Sequence, residues 1–166
     1  DRFGDCFLSK KNVLVFGAAG FIGTYLVEEL VRSGYQVTAS DIDPLGKAYY
    51  AGKPVGHVQV DIADASQFDR LATERFDAVI HLAACQPANV SQRNYDPKTY
   101  INVNVNGTLN ILEYCRRTSV ERLIYASSHR NTEGLWAKNK AIRESDGRSL
   151  KYTGEYAMFS IAESAA

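Results

Sequence analysis

Three glycines offer the first chemistry in this sequence. Gly17-Ala18-Ala19-Gly20-Phe21-Ile22-Gly23 has the spacing G-x-x-G-x-x-G. Glycine lets the chain turn tightly and lets a phosphate come close to main-chain amides. A helix that opens at the same place, here on Phe21 and Ile22, adds oriented N–H groups and partial positive charge. Such a triplet gains meaning only between a strand and a helix. Asp41 lies 18 residues beyond Gly23. At about that interval an acid accepts hydrogen bonds from adenosine ribose hydroxyls and repels a 2′-phosphate. No Arg follows it closely, so the pattern favours NAD over NADP. In Asp41-Ile42-Asp43-Pro44 the better turn former is Asp43, because Pro44 follows it.

Three further stretches carry polar or small residues where a ligand could use them. Asp61 could accept from an adenine amino group while Ile62 packs on the ring; equally, Asp61 is a turn or helix-cap residue. In His81-Leu82-Ala83-Ala84 the small residues would let a dinucleotide lie against the backbone. His81 has no second ligand at metal spacing and reads as a packed structural histidine, so no metal is expected. Ser127-Ser128 places hydroxyls that can bond a substrate carbonyl or alcohol.

These residues all follow short apolar runs. Asn12–Phe16 is a continuous run, as expected of a parallel strand buried on both faces. Gln36–Ser40, His57–Val60, Asp77–Leu82 and Arg122–Ala126 read as four more strands. Phe21, Ile22, Tyr25, Leu26, Leu30 and Val31 recur at a helical period, predicting a helix over Phe21–Arg32 that Gly34 ends. Residues 46–56 read as a loop, and Asp64 caps a helix running to about Arg75. A long helix is predicted over Asp96–Arg117, with Tyr100, Val103, Leu109, Leu112 and Tyr114 as its apolar positions. Residues 128–150 read as a polar loop and Tyr152–Ala166 as a last helix. Strands alternating with helices predict an α/β fold, a doubly wound parallel sheet of Rossmann type. Ligands then bind beyond the carboxyl ends of the strands, where the motifs stand.

Composition narrows the function. The 166 residues carry 19 Lys+Arg against 19 Asp+Glu, so a nucleic-acid binder that works by bulk charge is excluded. No apolar run reaches the roughly 18 residues of a membrane span, and no membrane partner is expected. The three cysteines are odd in number and lack C-x-x-C spacing, which predicts a reducing, cytoplasmic setting. A chain that begins with Asp reads as trimmed or as a fragment.

Together these residues resemble the extended short-chain dehydrogenase/reductase superfamily, in its NAD-dependent epimerase/dehydratase branch acting on nucleotide sugars. The resemblance runs from about Asn12 to the end of the chain, with the motifs in the family's order. Gly17, Gly20 and Gly23 match the glycine motif, Asp41 the ribose acid, and Asp61-Ile62 the adenine-contacting pair. His81-Leu82-Ala83-Ala84 matches the loop beneath the cofactor. Asn104-Val105-Asn106-Gly107-Thr108 matches a helix motif whose first Asn holds backbone near the cofactor. Tyr125-Ala126-Ser127-Ser128 matches the strand end, with Ser128 at the catalytic Ser/Thr position.

The resemblance implies a catalytic Tyr-x-x-x-Lys pair on a helix. Its match is Tyr156-Ala157-Met158-Phe159-Ser160, so Ser160 stands at the Lys position. A serine can bond a ribose hydroxyl but brings no charge, and a phenol with no cation beside it titrates at about pH 10. The family also continues into a smaller C-terminal substrate domain. The chain is therefore read as an extension over residues 1–11 and an NAD-binding Rossmann domain over 12–166, incomplete at its C-terminus. Two functions follow. One is an NAD-dependent enzyme acting on a sugar nucleotide, with Ser128 orienting the substrate oxygen and Tyr156 handling its proton. The other is a dinucleotide-binding regulatory module with little or no catalysis. A homodimer through the Asp96–Arg117 and Tyr152–Ala166 helices is compatible with both.

Overall fold

The computed structural model describes residues 11–71, 75–86, 96–127, 141 and 143. The strands are β1 (Asn12–Phe16), β2 (Gln36–Asp41), β3 (Val55–Gln59), β4 (Ala78–His81) and β5 (Arg122–Tyr125). They form one sheet in the order β3-β2-β1-β4-β5. Every pairing is parallel. The order reverses at β1, whose neighbours are β2 and β4, and this switch point opens at the sheet's carboxyl edge.

Each face of the sheet has its own core. On one face Val13, Val15, Val37, Ala39 and Ile80 pack with Val27 of α1 (Phe21–Arg32) and with Tyr50. On the other, Leu14, Phe16 and Val79 pack with Phe68 and Leu71 of a 3₁₀ helix (Ala65–Leu71) and with Ile111, Tyr114 and Cys115 of α4 (Gly107–Thr118). Alternate residues of β1 therefore serve opposite layers, which explains its unbroken apolar run.

The strands fall within two residues of their predicted bounds, and α1 falls on them. Three elements differ. The segment read as a loop holds α2 (Leu45–Tyr49), whose entry Pro44 fixes at φ −64. The helix expected from Asp64 to Arg75 is the shorter 3₁₀ helix. Phe68 and Leu71, three apart, bury together on its inner side, and Asp64 Oδ1 accepts from the Ser66 N–H at 3.0 Å. The long helix begins as α3 (Pro97–Tyr100), widens into a π-helical segment (Ile101–Asn106) and continues as α4.

Not every predicted apolar position faces the core. Leu109 and Leu112 are 56% and 41% exposed, and Phe21, Ile22 and Tyr25 are also exposed. Periodicity alone does not separate these positions from the buried ones. The predicted 128–150 loop and Tyr152–Ala166 helix lie outside the described residues, except for residues 141 and 143, and the 1–11 extension does so except for Lys11. Among the described residues, no helix is long and apolar enough to cross a membrane.

Candidate cofactor site

The glycine turn joins β1 to α1 at the switch point. Gly17 sits at φ +79, a conformation that strains any residue with a side chain. A Cβ there would lie 2.6 Å from the Ala83 nitrogen, because the chain leaving β4 runs directly against the turn. A Cβ on Gly23 would overlap the Gly17 carbonyl oxygen and come 2.8 Å from Ala18 Cα. At Gly20 the closest approach is only 3.3 Å, and that residue is exposed. Gly17 and Gly23 thus bring strand, turn and helix together, while Gly20 keeps the open side bare.

Gly20 is also the N-cap of α1, and no side chain caps the helix. The amides of Phe21 and Ile22 open this uncapped turn, where an anion would complete the hydrogen bonding. The turn itself is held from β2. The N–H groups of Gly17 and Ala18 both donate to the Ser40 carbonyl, at 3.0 and 3.1 Å. The Ala19 N–H donates to Asp41 Oδ2 at 2.8 Å, and Asp41 Oδ1 accepts from the Asp43 N–H at 3.0 Å. The predicted ribose acid is therefore also an anchor of the phosphate turn.

The third strand's motif makes contacts within the fold. Asp61 Oδ1 accepts from the Ala63 N–H at 2.9 Å, the turn role left open by the sequence. Ile62 is 5% exposed and gives its side chain to the core, where a Cβ on Gly107 would meet its Cγ1 at 2.7 Å. Helix and strand end meet here, and the Ile62 carbonyl accepts from Asn110 Nδ2 at 2.8 Å.

The chain leaving β4 is pinned from two sides. The Leu82 N–H donates to the Phe16 carbonyl at 2.9 Å. Asn104, 2% exposed, grips the backbone of Cys85 twice: its Oδ1 accepts from the Cys85 N–H at 2.7 Å, and its Nδ2 donates to the Cys85 carbonyl at 3.0 Å. Between these pins lie Leu82, Ala83 and Ala84, all half-buried. Ser127 is exposed just past the end of β5. Ser128, Tyr156 and Ser160 lie outside the described residues.

His81 is 1% exposed and structural. The Thr108 hydroxyl donates its single proton to the Asn104 carbonyl at 2.7 Å, so it accepts from His81 Nε2–H at 2.9 Å. Nδ1 is then the unprotonated nitrogen, and it is buried without a partner. Burial pushes the imidazole down to about 4 from 6.5. As pH falls, the unfolded chain takes up the proton first, so stability is complete above about pH 6.5, declines towards about pH 4 and is level below that. The loss expected is about 3 kcal/mol. Denaturant titrations across this range check it, with His81→Gln flattening the profile.

Two of these contacts carried no sequence signal. Tyr50 donates to the Ala18 carbonyl across 32 residues, and Gln67 Oε1 accepts from the Asp61 N–H. Thr108 closes the motif that Asn104 opens, but its link to His81 depends on the fold. Among the described residues, no group of three or more His, Cys, Asp or Glu is placed to hold a metal.

A parallel sheet with a glycine turn and an uncapped helix at its switch point defines a dinucleotide-binding domain of Rossmann type. The chain belongs to the NAD dependent epimerase/dehydratase family, which it matches over residues 13–158. The UDP-glucose 4-epimerase of Caenorhabditis elegans is 33% identical, over 70% of this chain and 38% of that protein. The UDP-glucuronic acid decarboxylase 1 of Danio rerio is 29% identical, over 76% of this chain and 32% of its own length. The crystal structure of a Thermus thermophilus UDP-glucose 4-epimerase in complex with NAD superposes with a TM-score of 0.78 and 32% identity, covering 93% of this chain and 48% of that one. The chain thus spans less than half the length of these relatives.

Proposed function

We propose that this chain forms the NAD-binding part of an enzyme that acts on a sugar nucleotide by transient hydride transfer. The observation that carries this reading is the uncapped N-terminus of α1 behind a turn where Gly17 and Gly23 leave no room for a side chain. That arrangement fits a pyrophosphate, and Asp41 beside it suits an adenosine ribose without a 2′-phosphate. Bound NAD supplies a ring that takes up and returns hydride. The chain's own residues would do the rest: Ser128 orients the substrate oxygen, Tyr156 moves its proton, and Ser160 bonds a ribose hydroxyl in place of a lysine. The sugar-nucleotide class rests on the relatives, which include UDP-sugar epimerases and a decarboxylase. A homodimer built on α4 belongs to the same reading, supported by the outward Leu109 and Leu112, as does a cytoplasmic setting. The uncharged Ser160 favours a second reading, a dinucleotide-binding regulatory module with little turnover.

Calorimetric titration with NAD and with NADP tests the first step. We expect NAD to bind and NADP to bind at least tenfold more weakly, about 1.4 kcal/mol. Asp41→Asn leaves an oxygen for the Ala19 N–H but removes the charge, so it narrows that preference; Asp41→Ala loses both roles and weakens NAD further. A folded chain that binds neither cofactor ends the proposal. Because the hydride is returned, NADH does not accumulate; conversion of UDP-sugars with NAD present, read by analysis of the sugar product, then separates enzyme from module. Tyr156→Phe is expected to cut turnover by roughly 10²–10⁴-fold, and wild-type turnover in this variant would remove Tyr156 from the mechanism.

A further inference from the structure

One peptide group in the glycine turn is held at both ends by side chains. Its N–H, from Ala19, donates to Asp41 Oδ2 at 2.8 Å. Its carbonyl, from Ala18, accepts from the Tyr50 hydroxyl at 2.6 Å. The neighbouring groups have main-chain partners, with the Gly17 and Ala18 N–H groups on the Ser40 carbonyl and the Gly20 N–H on the Gly17 carbonyl. The Ala18–Ala19 peptide is thus the point where side chains decide which way the turn faces.

Tyr50 suits this task because its surroundings fix it. It is 3% exposed, and its ring lies in the core between sheet and α1. Burial pushes its phenol up to about 12, so the hydroxyl keeps its proton and is a constant donor. It sits at the C-cap of α2, and that helix is tied to α1 beside it: the Tyr49 hydroxyl and Lys53 Nζ each donate to Glu28 Oε1 at 2.8 Å. At its other end α2 presses close to the turn, since a Cβ on Gly46 would lie 3.3 Å from the Ala19 Cβ.

We infer that Tyr50 is a positioning residue for dinucleotide binding, holding the Ala18–Ala19 peptide so that the turn meets a pyrophosphate already formed. The inference rests on the proposed NAD site. Without the hydroxyl the Ala18 carbonyl loses its partner and the peptide can tilt. Ligand binding must then restore the turn's geometry, and affinity falls by that amount. The effect belongs to ligands with a pyrophosphate and not to those with the nucleoside alone.

The test compares wild type, Tyr50→Phe and Tyr35→Phe in titrations with NAD and ADP-ribose, with adenosine followed by saturation-transfer NMR. Tyr50→Phe keeps the ring and the core packing. We expect it to weaken NAD and ADP-ribose equally, by roughly three- to tenfold, the worth of one hydrogen bond, with adenosine unchanged. Tyr35→Phe, which removes the hydroxyl of an exposed residue just before β2, should bind all three as wild type does. Wild-type affinity for ADP-ribose in Tyr50→Phe, or an equal loss for adenosine, overturns the inference and leaves the NAD site standing. If wild type binds neither NAD nor ADP-ribose, the site reading fails and this inference with it.

Discussion

Gly23→Ala is expected to abolish dinucleotide binding, with a loss of at least roughly 100-fold, about 2.7 kcal/mol. The added Cβ would overlap the Gly17 carbonyl oxygen and lie 2.8 and 2.9 Å from Ala18 Cα and C. All three are backbone atoms of the turn, so no rotamer change relieves the clash. The first turn of α1 must move away from β1, carrying the amides of Phe21 and Ile22 off the place where a phosphate would meet them. Overpacking of this kind costs about 1–3 kcal/mol of stability, which for a domain of this size lowers Tm by roughly 2–12 °C. Gly20→Ala separates fold from ligand. Its Cβ would lie 3.3 Å from the Gly17 oxygen, a tight contact that a shift of a few tenths of an ångström relieves, and the residue is exposed, so Tm should fall less than in Gly23→Ala while phosphate access narrows and binding falls. Thermal denaturation beside NAD titration reads both variants. Wild-type NAD affinity in Gly23→Ala would show that the turn does not set the site.

Much of the frame was legible because it is written in local pattern. The apolar run Asn12–Phe16, the helical period of Phe21–Arg32 and the glycines between them give strand, turn and helix in sequence. Parallel pairing in a doubly wound sheet follows from the alternation of strands and helices, while the place of the switch, at β1, is seen only in the strand order. The predicted positions of Gly17, Asp41 and Asn104 likewise fall around one sheet edge. What was not legible depends on partners distant in sequence or on helix geometry without a period. Tyr50 reads as one of two adjacent tyrosines in a glycine-bearing loop, and only α2 and the core turn its hydroxyl towards Ala18. The π-helical segment is invisible to a 3.6-residue period; it shows in the Gly107 N–H, which donates to the Asn102 carbonyl five residues back. Leu109 and Leu112 satisfy the apolar period yet face outward. The period finds a stripe, but it does not say how much of that stripe the sheet covers.

Asn104→Ala is expected to cost about 2–4 kcal/mol of stability and to loosen the chain leaving β4 before it loosens anything else. The side chain answers two backbone groups of Cys85, donor and acceptor, from a residue that is 2% exposed. Alanine leaves both without a partner in a half-buried place, and each such group costs about 1–3 kcal/mol. The carbonyl of Asn104 is engaged separately by Thr108 and through it by His81, so the substitution breaks the link between that buried network and the chain at residues 82–85. The π-helical segment is where this matters: the wider turn lies at Asn104, and such widenings recur at functional sites. Loss of the grip should also reach the glycine turn, because Ala83 is the residue against which Gly17 packs. Hydrogen exchange at the Cys85 amide is the direct readout. It should speed up by roughly 30-fold for about 2 kcal/mol of lost protection, with the amides of β1 changing only as far as global stability does. Asn104→Asp sharpens the result. Its oxygen can still accept from the Cys85 N–H, but it cannot donate to the carbonyl, and a buried carboxylate adds its own cost. Unchanged Cys85 exchange in both variants would mean that the helix, and not this side chain, holds the chain leaving β4 in place.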